Sequence, residues 1–595
     1  MADLIIRLHK YALAKQKHCD TYAKVMLFFE ITKKYNYLCA QIIDHMHKRI
    51  SLLFYILSIC FSLQAQSFTS PKREVRAVWL TTIGGLDWPH SYAQSTGSIE
   101  RQKRELLSLL DFYQQAGINT VLLQTRIRGT VIYPSKYEPW DGCLSGFPGR
   151  SPGYDALRFA IDECHRRGME LHAWVVTIPI GKWDKLGVRN INKLLPGVAK
   201  RIGPEGYMNP ENPRTASYLA DICEEIVRNY NVDGIHLDYI RYPETWTLKV
   251  SRDQGRNNIT SIVRAITNRV KTLKPWVKMS CSPIGKFDDL SRYWSHGWNA
   301  YTKVCQDAQG WLRSGLMDQL YPMMYFRDNQ FFPFAIDWAE QSDGKTIAPG
   351  LGIYFLDPKE GNWKLDDVTR EIQVLRQYGM GQAYFRGKFL TDNKQGIYDF
   401  VRQFNRYPAL VPAMTWADSN LPPSPENLRV EKNTLSWTGR SPYYNVYSSR
   451  TWPVNTDDAT NLIATRRTET TIAIPADGRY YAVTAMNEYG QESVALQSHQ
   501  QDNTPQTNLS LLPCDGKRLT LPAKPASLDA GFVVIETLQG TMIDTRSYQG
   551  KHIDVSRIPE GFYVLKSLVR KGVTHRLGFF MIKRDNDQTP SPIIP

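Results

Sequence analysis

The chain has no pair of cysteines at Cys-x-x-Cys spacing and no histidines close to a cysteine at zinc-ligand intervals, which excludes a metal knuckle as its organising feature. It also lacks a long block of Lys and Arg. A nucleic-acid partner is therefore not expected, despite a formal charge of +15 from 73 basic and 58 acidic residues. No apolar run is long enough to cross a bilayer, which takes about 20 residues. The run from Ile50 to Leu63 stops at 14. Of nine cysteines, Cys143, Cys164, Cys223, Cys281, Cys305 and Cys514 lie beyond that run. They are scattered, so a dense disulfide scaffold is not indicated, and the sequence does not pair them.

What is present begins near Met46. Met46-His-Lys-Arg-Ile, the apolar run and Gln64-Ala65-Gln66 read as the charged, apolar and cleavage regions of a secretory signal over residues 46–65. Residues 1–45 then read as an over-extended N-terminus. The expectation is an exported protein with no transmembrane anchor after cleavage, placed in the periplasm, on the outer membrane surface or outside the cell. Cys60 follows the bulky Ile59, which argues against lipidation.

At 595 residues the chain is too long for one core and calls for two or three domains. From residue 72 to 415, short β-branched or aromatic runs alternate with amphipathic stretches, the pattern of repeated β-α units around a parallel sheet. Strands are expected at Val75–Thr82, Thr120–Thr125, Glu170–Val176, Gly234–Asp238, Val277–Ser282, Gln319–Tyr325, Thr346–Ile353 and Gln382–Phe385. Helices are expected at Ser98–Ala116, Asp155–Arg167, Ala216–Asn229, Ile259–Leu273, Asn299–Ser314 and Leu365–Gln377. Eight strands with intervening helices predict a (β/α)8 TIM barrel of the α/β class. A proline cluster at Leu421-Pro-Pro-Ser-Pro425 reads as a stiff linker. Residues 424–502 resemble a fibronectin type III β-sandwich. Residues 507–585 read as a second small all-β domain, similar to tails that Bacteroidetes-type exported proteins carry and offering a means of envelope association.

In such a barrel the chemistry sits at the C-terminal ends of the strands. That rule favours Asp238, at the end of the fourth strand, over Asp233 at its start, and demotes Asp318 in the sixth. A carboxylate in a mouth with Tyr239, Arg241 and Tyr242 can serve as acid, base or nucleophile in glycoside cleavage. The loops offer Asp87, Glu211, Glu244 and Asp328 as partners. Residues expected to contact sugar are Trp79, Trp88, Gln124, Arg126, His172, Trp174, Asn209, His236, Arg241, Tyr321, Tyr325 and Tyr384. High Trp and Tyr counts, 15 and 32, suit a sugar cleft, although most such residues fill cores. Arg126 and Arg128 offer a hold on an acidic or N-acyl sugar, and ion-paired arginines fit the pattern equally. No metal or other cofactor is expected.

Several stretches together carry a resemblance: Arg73-Glu-Val-Arg-Ala-Val-Trp-Leu, Tyr133-Pro-Ser-Lys-Tyr-Glu-Pro-Trp140, Arg167-Gly-Met-Glu-Leu-His-Ala-Trp174, Asn209-Pro-Glu-Asn-Pro213 and Asp233-Gly-Ile-His-Leu-Asp-Tyr-Ile-Arg-Tyr-Pro243. Over residues 72 to 410 the chain resembles the glycosyl-hydrolase-like family 10 domain. The resemblance implies a TIM barrel, export, and hydrolysis of a glycan such as peptidoglycan strands. Val175-Val-Thr-Ile-Pro-Ile-Gly181 departs from the family pattern in a loop on the active face. More distantly, the fourth strand is similar to the Asp-Gly-x-Asp-x-Asp-x-Glu motif of family 18 chitinases, with His236 at the second acidic position and Ile240 where the acid should stand. Met323 and Tyr325 likewise match their Met-x-Tyr-Asp, with Phe326 replacing the Asp. A substrate-assisted route therefore stands beside a two-carboxylate one. The alternatives to a glycosidase are a silent glycan-binding barrel and a metal-dependent deacetylase built on His172, His236 and Asp238.

Overall fold

The computed structural model describes residues 70–498, 511–522, 530–537, 542–569 and 574–583. The signal-peptide reading and the over-extended N-terminus lie outside the described residues. Parallel pairing runs in order through Arg76–Leu80, Thr120–Arg126, Glu170–Val176, Gly234–Asp238 and Lys278–Cys281. The next two lines are each broken in the middle. Gln319–Leu320 and Met323–Met324 flank Pro322, and Thr346–Ile347 and Gly350–Leu351 flank Pro349. Proline has no N–H to give the ladder, so each line splits into two short strands. Gln382–Tyr384 then pairs with both Gly350–Leu351 and Arg76–Leu80, which closes the ring. The ten segments of the sheet thus occupy eight positions in a TIM-barrel-like arrangement.

The helices cover the outside, and several begin earlier than periodicity alone suggests because of their caps. Asn212 accepts from the Arg214 N–H and Pro213 follows it, so that helix runs Pro213–Asn229. Ser251 accepts from the Gln254 N–H and starts Arg252–Leu273. The helix expected over Asn299–Ser314 is only Ala308–Arg313, because the Asn299 carboxamide takes the Thr302 and Lys303 N–H groups into a loop. The helices Phe332–Glu340 and Ile397–Phe404 were not expected. Nor was a small antiparallel sheet after the third strand, formed by Pro179–Lys182, Glu205–Met208 and Ala199–Ile202.

After the barrel, two antiparallel sheets of three and four strands face each other over Leu435, Trp437, Tyr444, Val446, Tyr481 and Val483. A further all-β unit packs Leu519, Val533, Ile535, Ile553, Leu565 and Phe580. The six cysteines of the described residues are unbridged, five of them buried.

The sandwich docks on the N-terminal end of the barrel through buried charge. Arg466 donates to Glu170 at 2.9 Å and also pairs with Asp233, while Lys278 reaches Glu170 at 2.8 Å and His165 reaches Asp233 at 2.7 Å. Burial pushes the Glu170 carboxyl up, but Lys278, the His172 hydrogen bond and Arg466 more than offset this and hold it down to about 2. Asp233 is likewise held well below the usual carboxylate range against burial, by Arg466 and His165. A second latch joins Lys72 and Arg73 to Glu492 at 2.7 and 3.1 Å. The fit is close, since a Cβ at Gly168 would lie 2.5 Å from the Thr465 carbonyl oxygen.

Two stability effects are expected. Arg466→Ala leaves two buried carboxylates underpaired and should lower stability by about 3–5 kcal/mol at neutral pH. Because their pKa values are depressed, that loss shrinks as pH falls towards 2. Calorimetry at pH 7 and at about pH 3 checks it, and an unchanged melting temperature at pH 7 would show that the contact is not holding the domains together. Glu371, on the helix Leu365–Gln377, is the opposite case: both carboxyl oxygens are buried without a hydrogen-bond partner. Burial, then Asp367, pushes its pKa well up, so the folded state keeps it neutral while the unfolded chain ionises it. Glu371→Leu should raise the melting temperature at pH 7 and do so less at pH 4.

Candidate active site

The fourth strand alternates its side chains between the barrel interior and the surrounding helices, which puts Gly234, His236 and Asp238 inside. Gly234 is required there, since a Cβ would meet the His172 ring at 2.6 Å. At the top, Asp238 is 7% exposed and held on both oxygens. Its Oδ2 accepts from the Trp174 indole N–H at 3.1 Å. Its Oδ1 accepts from the Ser282 hydroxyl and the Tyr239 N–H, each at 2.8 Å. Thr177 fixes the backbone by donating its N–H and hydroxyl to the Asp238 carbonyl oxygen. Burial raises the Asp238 pKa from its ordinary value, opposed by Ser282, Arg241, Tyr239 and Trp174. The group is thus arranged to keep a proton longer than a surface aspartate and to be stabilised once it loses it.

Below Asp238 lies an ordered layer. The Trp79 indole N–H donates to His236 Nε2 at 3.2 Å, so the neutral imidazole carries its proton on Nδ1 and donates to Ser280 at 3.0 Å. Burial, then His172, holds the His236 pKa well below its ordinary value. Tyr321 packs edge-on against both His236 and Trp79 and donates to Gln319. His172 lies deeper, against Glu170 at 3.1 Å. The two histidines therefore serve different partners, and among the described residues no group of three His, Cys, Asp or Glu side chains converges as a metal ion would need.

The rim is aromatic and cationic. Tyr239 has a φ of 52° and stands over the Arg241 guanidinium, whose carbon lies 4.5 Å from the ring centroid. Arg241 donates to Glu244 at 2.5 Å. On the sixth-strand side, Tyr325 packs against Phe385 and Tyr354. Burial, then the Asp238 charge, raises its pKa well above the ordinary tyrosine value, so its phenol keeps its proton.

Other residues expected to act at the mouth have different places. Asp87 is buried and accepts from the Thr81 N–H and hydroxyl on one oxygen and from Arg386 and the Lys388 N–H on the other, joining the exits of the first and last strands. Asp328 is exposed on Arg370, and Glu211 is exposed near the Asn209 turn. Asn209 shapes that turn by accepting from the Glu211 N–H.

Trp88, expected to touch sugar, is fully buried in the outer core with its N–H on the Gln102 carbonyl. Arg126, expected to hold a sugar, is fully buried as well. Its guanidinium is taken by Glu138 and by the Val176 and Thr177 carbonyls. Gln124 pins the loop after the first strand through the Thr82 and Ile83 N–H groups. Tyr384 points outward into the Glu74 and Asn405 network, while the interior position on that strand belongs to Ala383. Arg126 and Tyr384 could not be told from site residues by strand position alone, because the inward or outward phase depends on register. Ser282 was missed in the opposite direction: it stands just past the end of the fifth strand and two residues after Ser280, a spacing that would have placed it inside.

Ser282→Ala removes a donor to the Asp238 carboxylate and should raise its pKa further. The limb of the pH–activity profile that Asp238 carries should then move to higher pH. An unmoved profile would show that Asp238 does not set it.

Residues 74–252 and 246–355 match the sequence profile of the family described as glycosyl hydrolase-like 10. The chain is 28% identical over 416 residues to glycosyl hydrolase YngK of Bacillus subtilis, covering 64% of this chain and 80% of that protein. It is 29% identical over 290 residues to glycosyl hydrolase DigH of Escherichia coli K12, covering 43% of this chain and 66% of that protein. The matched region contains Trp79, Trp174, Asp238 and Ser282; over residues 74–355 the chain matches the glycosyl hydrolase-like 10 family, and it is a glycoside hydrolase.

Proposed function

We propose that this chain is an exported glycosidase that cleaves O-glycosidic bonds in a bacterial envelope glycan of the peptidoglycan kind, or in a complex polysaccharide, with Asp238 as the proton donor. The observation that carries the reading is the Asp238 clamp. A buried carboxyl with a raised pKa delivers its proton to the leaving-group oxygen, and the Trp174 and Ser282 donors then stabilise the carboxylate left behind.

The second group is taken from the same rim. Glu244 reaches the site through Arg241 and suits a general base or nucleophile. Asp87, with both oxygens engaged, suits positioning of the first and last strand exits instead. For an N-acetylated sugar, the Tyr325 phenol is a suitable donor to the acyl oxygen in a substrate-assisted route. Arg128, exposed on the exit loop of the second strand, suits an acidic substituent. Export rests on the signal-like residues 46–65. The sandwich is read as fibronectin type III-like, a reading supported by its three-plus-four strand arrangement.

The test is release of reducing ends from peptide-free peptidoglycan strands and a panel of polysaccharides. Asp238→Asn should lose about 10²- to 10⁴-fold in kcat while keeping its fold. Full activity in that variant would remove Asp238 from the mechanism. A wild type that binds glycans and cleaves none of the panel would turn the reading to a silent glycan-binding barrel.

A further inference from the structure

The loop that leaves the fifth strand, residues 282–307, begins at Ser282, which donates directly to Asp238. It is long but tightly wired. Ser295 is fully buried and bonds Asp289 through both its N–H and its hydroxyl, and its hydroxyl also accepts from Asn299. Lys286 donates to the Ser295 carbonyl at 3.3 Å, and the Ala300 N–H donates back to the Lys286 carbonyl at 2.9 Å. The loop is thus a preformed surface on the exit face of the barrel.

What it displays is unusual for so well-anchored a segment. Tyr293, Trp294 and Trp298 are 36%, 61% and 38% exposed, three large aromatic rings within six residues. Between them, His296 and Gly297 both take left-handed backbone, with φ of 58° and 71°. A non-glycine residue held there keeps a cost that the surrounding hydrogen bonds must outweigh. Single exposed apolar residues are ordinary, but a cluster of them on a fixed scaffold marks a binding surface. Tryptophan and tyrosine suit a partner with both apolar faces and polar edges. A pyranose ring is such a partner: its C–H face lies flat on an aromatic ring while its hydroxyls remain in water.

We propose that Tyr293, Trp294 and Trp298 form a remote subsite that holds a second stretch of the same glycan strand whose bond is cleaved at Asp238. This rests on the glycosidase reading above and adds to it: the substrate is a polymer read over a length greater than the mouth itself. Continuity with the catalytic face selects a glycan over other occupants, since the platform and Ser282, one of the donors to Asp238, belong to one loop.

The experiment uses the full chain with Trp294→Ala and Trp298→Ala, singly and together, checked for an unchanged melting temperature. Binding is measured by isothermal titration in the Asp238→Asn background, with peptide-free peptidoglycan strands sorted into long strands and tetrasaccharides. The double variant should lose about tenfold in affinity for long strands. In the active background, the ratio of kcat/KM on long strands to that on tetrasaccharides should fall by a similar factor through KM. A double variant that binds long strands as tightly as its parent, or long strands that bind neither protein, would overturn the subsite. Failure of the glycosidase reading looks different: long strands bind through Trp294 and Trp298, yet the wild type releases no reducing ends.

Discussion

The arginine that crosses from the sandwich into the base of the barrel is the contact on which the rest of the structure is stacked. Arg466 meets Glu170 and Asp233, and Glu170 in turn holds Lys278 and His172. His172 packs against Gly234, with His236, Trp79 and Tyr321 in the layer above and Asp238 at the top. A barrel interior is filled in layers, so each layer is a floor for the next. The charges at the bottom therefore bear on the position of the carboxyl at the mouth. Buried ion pairs of this kind add little net stability relative to an apolar replacement, but breaking one member is costly. Arg466 itself takes a left-handed backbone, with a φ of 51°, which the contact must hold in place.

Much of this was legible in the sequence. The alternation of β-branched runs with amphipathic stretches located the barrel strands, and the rule of strand ends separated Asp238 from Asp233 and Asp318. Asp233 does turn inward to structure, bonding Arg466, and Asp318 accepts from Lys271 and the Trp416 indole. What the sequence did not carry was phase and partnership. Trp88, Arg126 and Tyr384 stand near the right strands but face outward or are consumed by neighbours distant in sequence, such as Gln102, Glu138 and Glu74. The split of the sixth and seventh lines at Pro322 and Pro349 follows from proline chemistry. The small sheet over Pro179–Met208 follows from no periodicity in so short a segment.

The aromatic residues show the same division. Trp79, Trp174 and Tyr321 are buried and act by orienting polar groups, whereas Trp294 and Trp298 present their faces to solvent. Composition could register their number but not this difference. It is set by the polar wiring of the loop around Ser295 and Asn299, and such wiring leaves no periodic trace.

Docking at the base also fixes a direction. The sandwich occupies the end of the barrel opposite Asp238, held there by Arg466 and by the Glu492 latch. The end of the barrel that carries Asp238 is consequently the end the sandwich leaves uncovered.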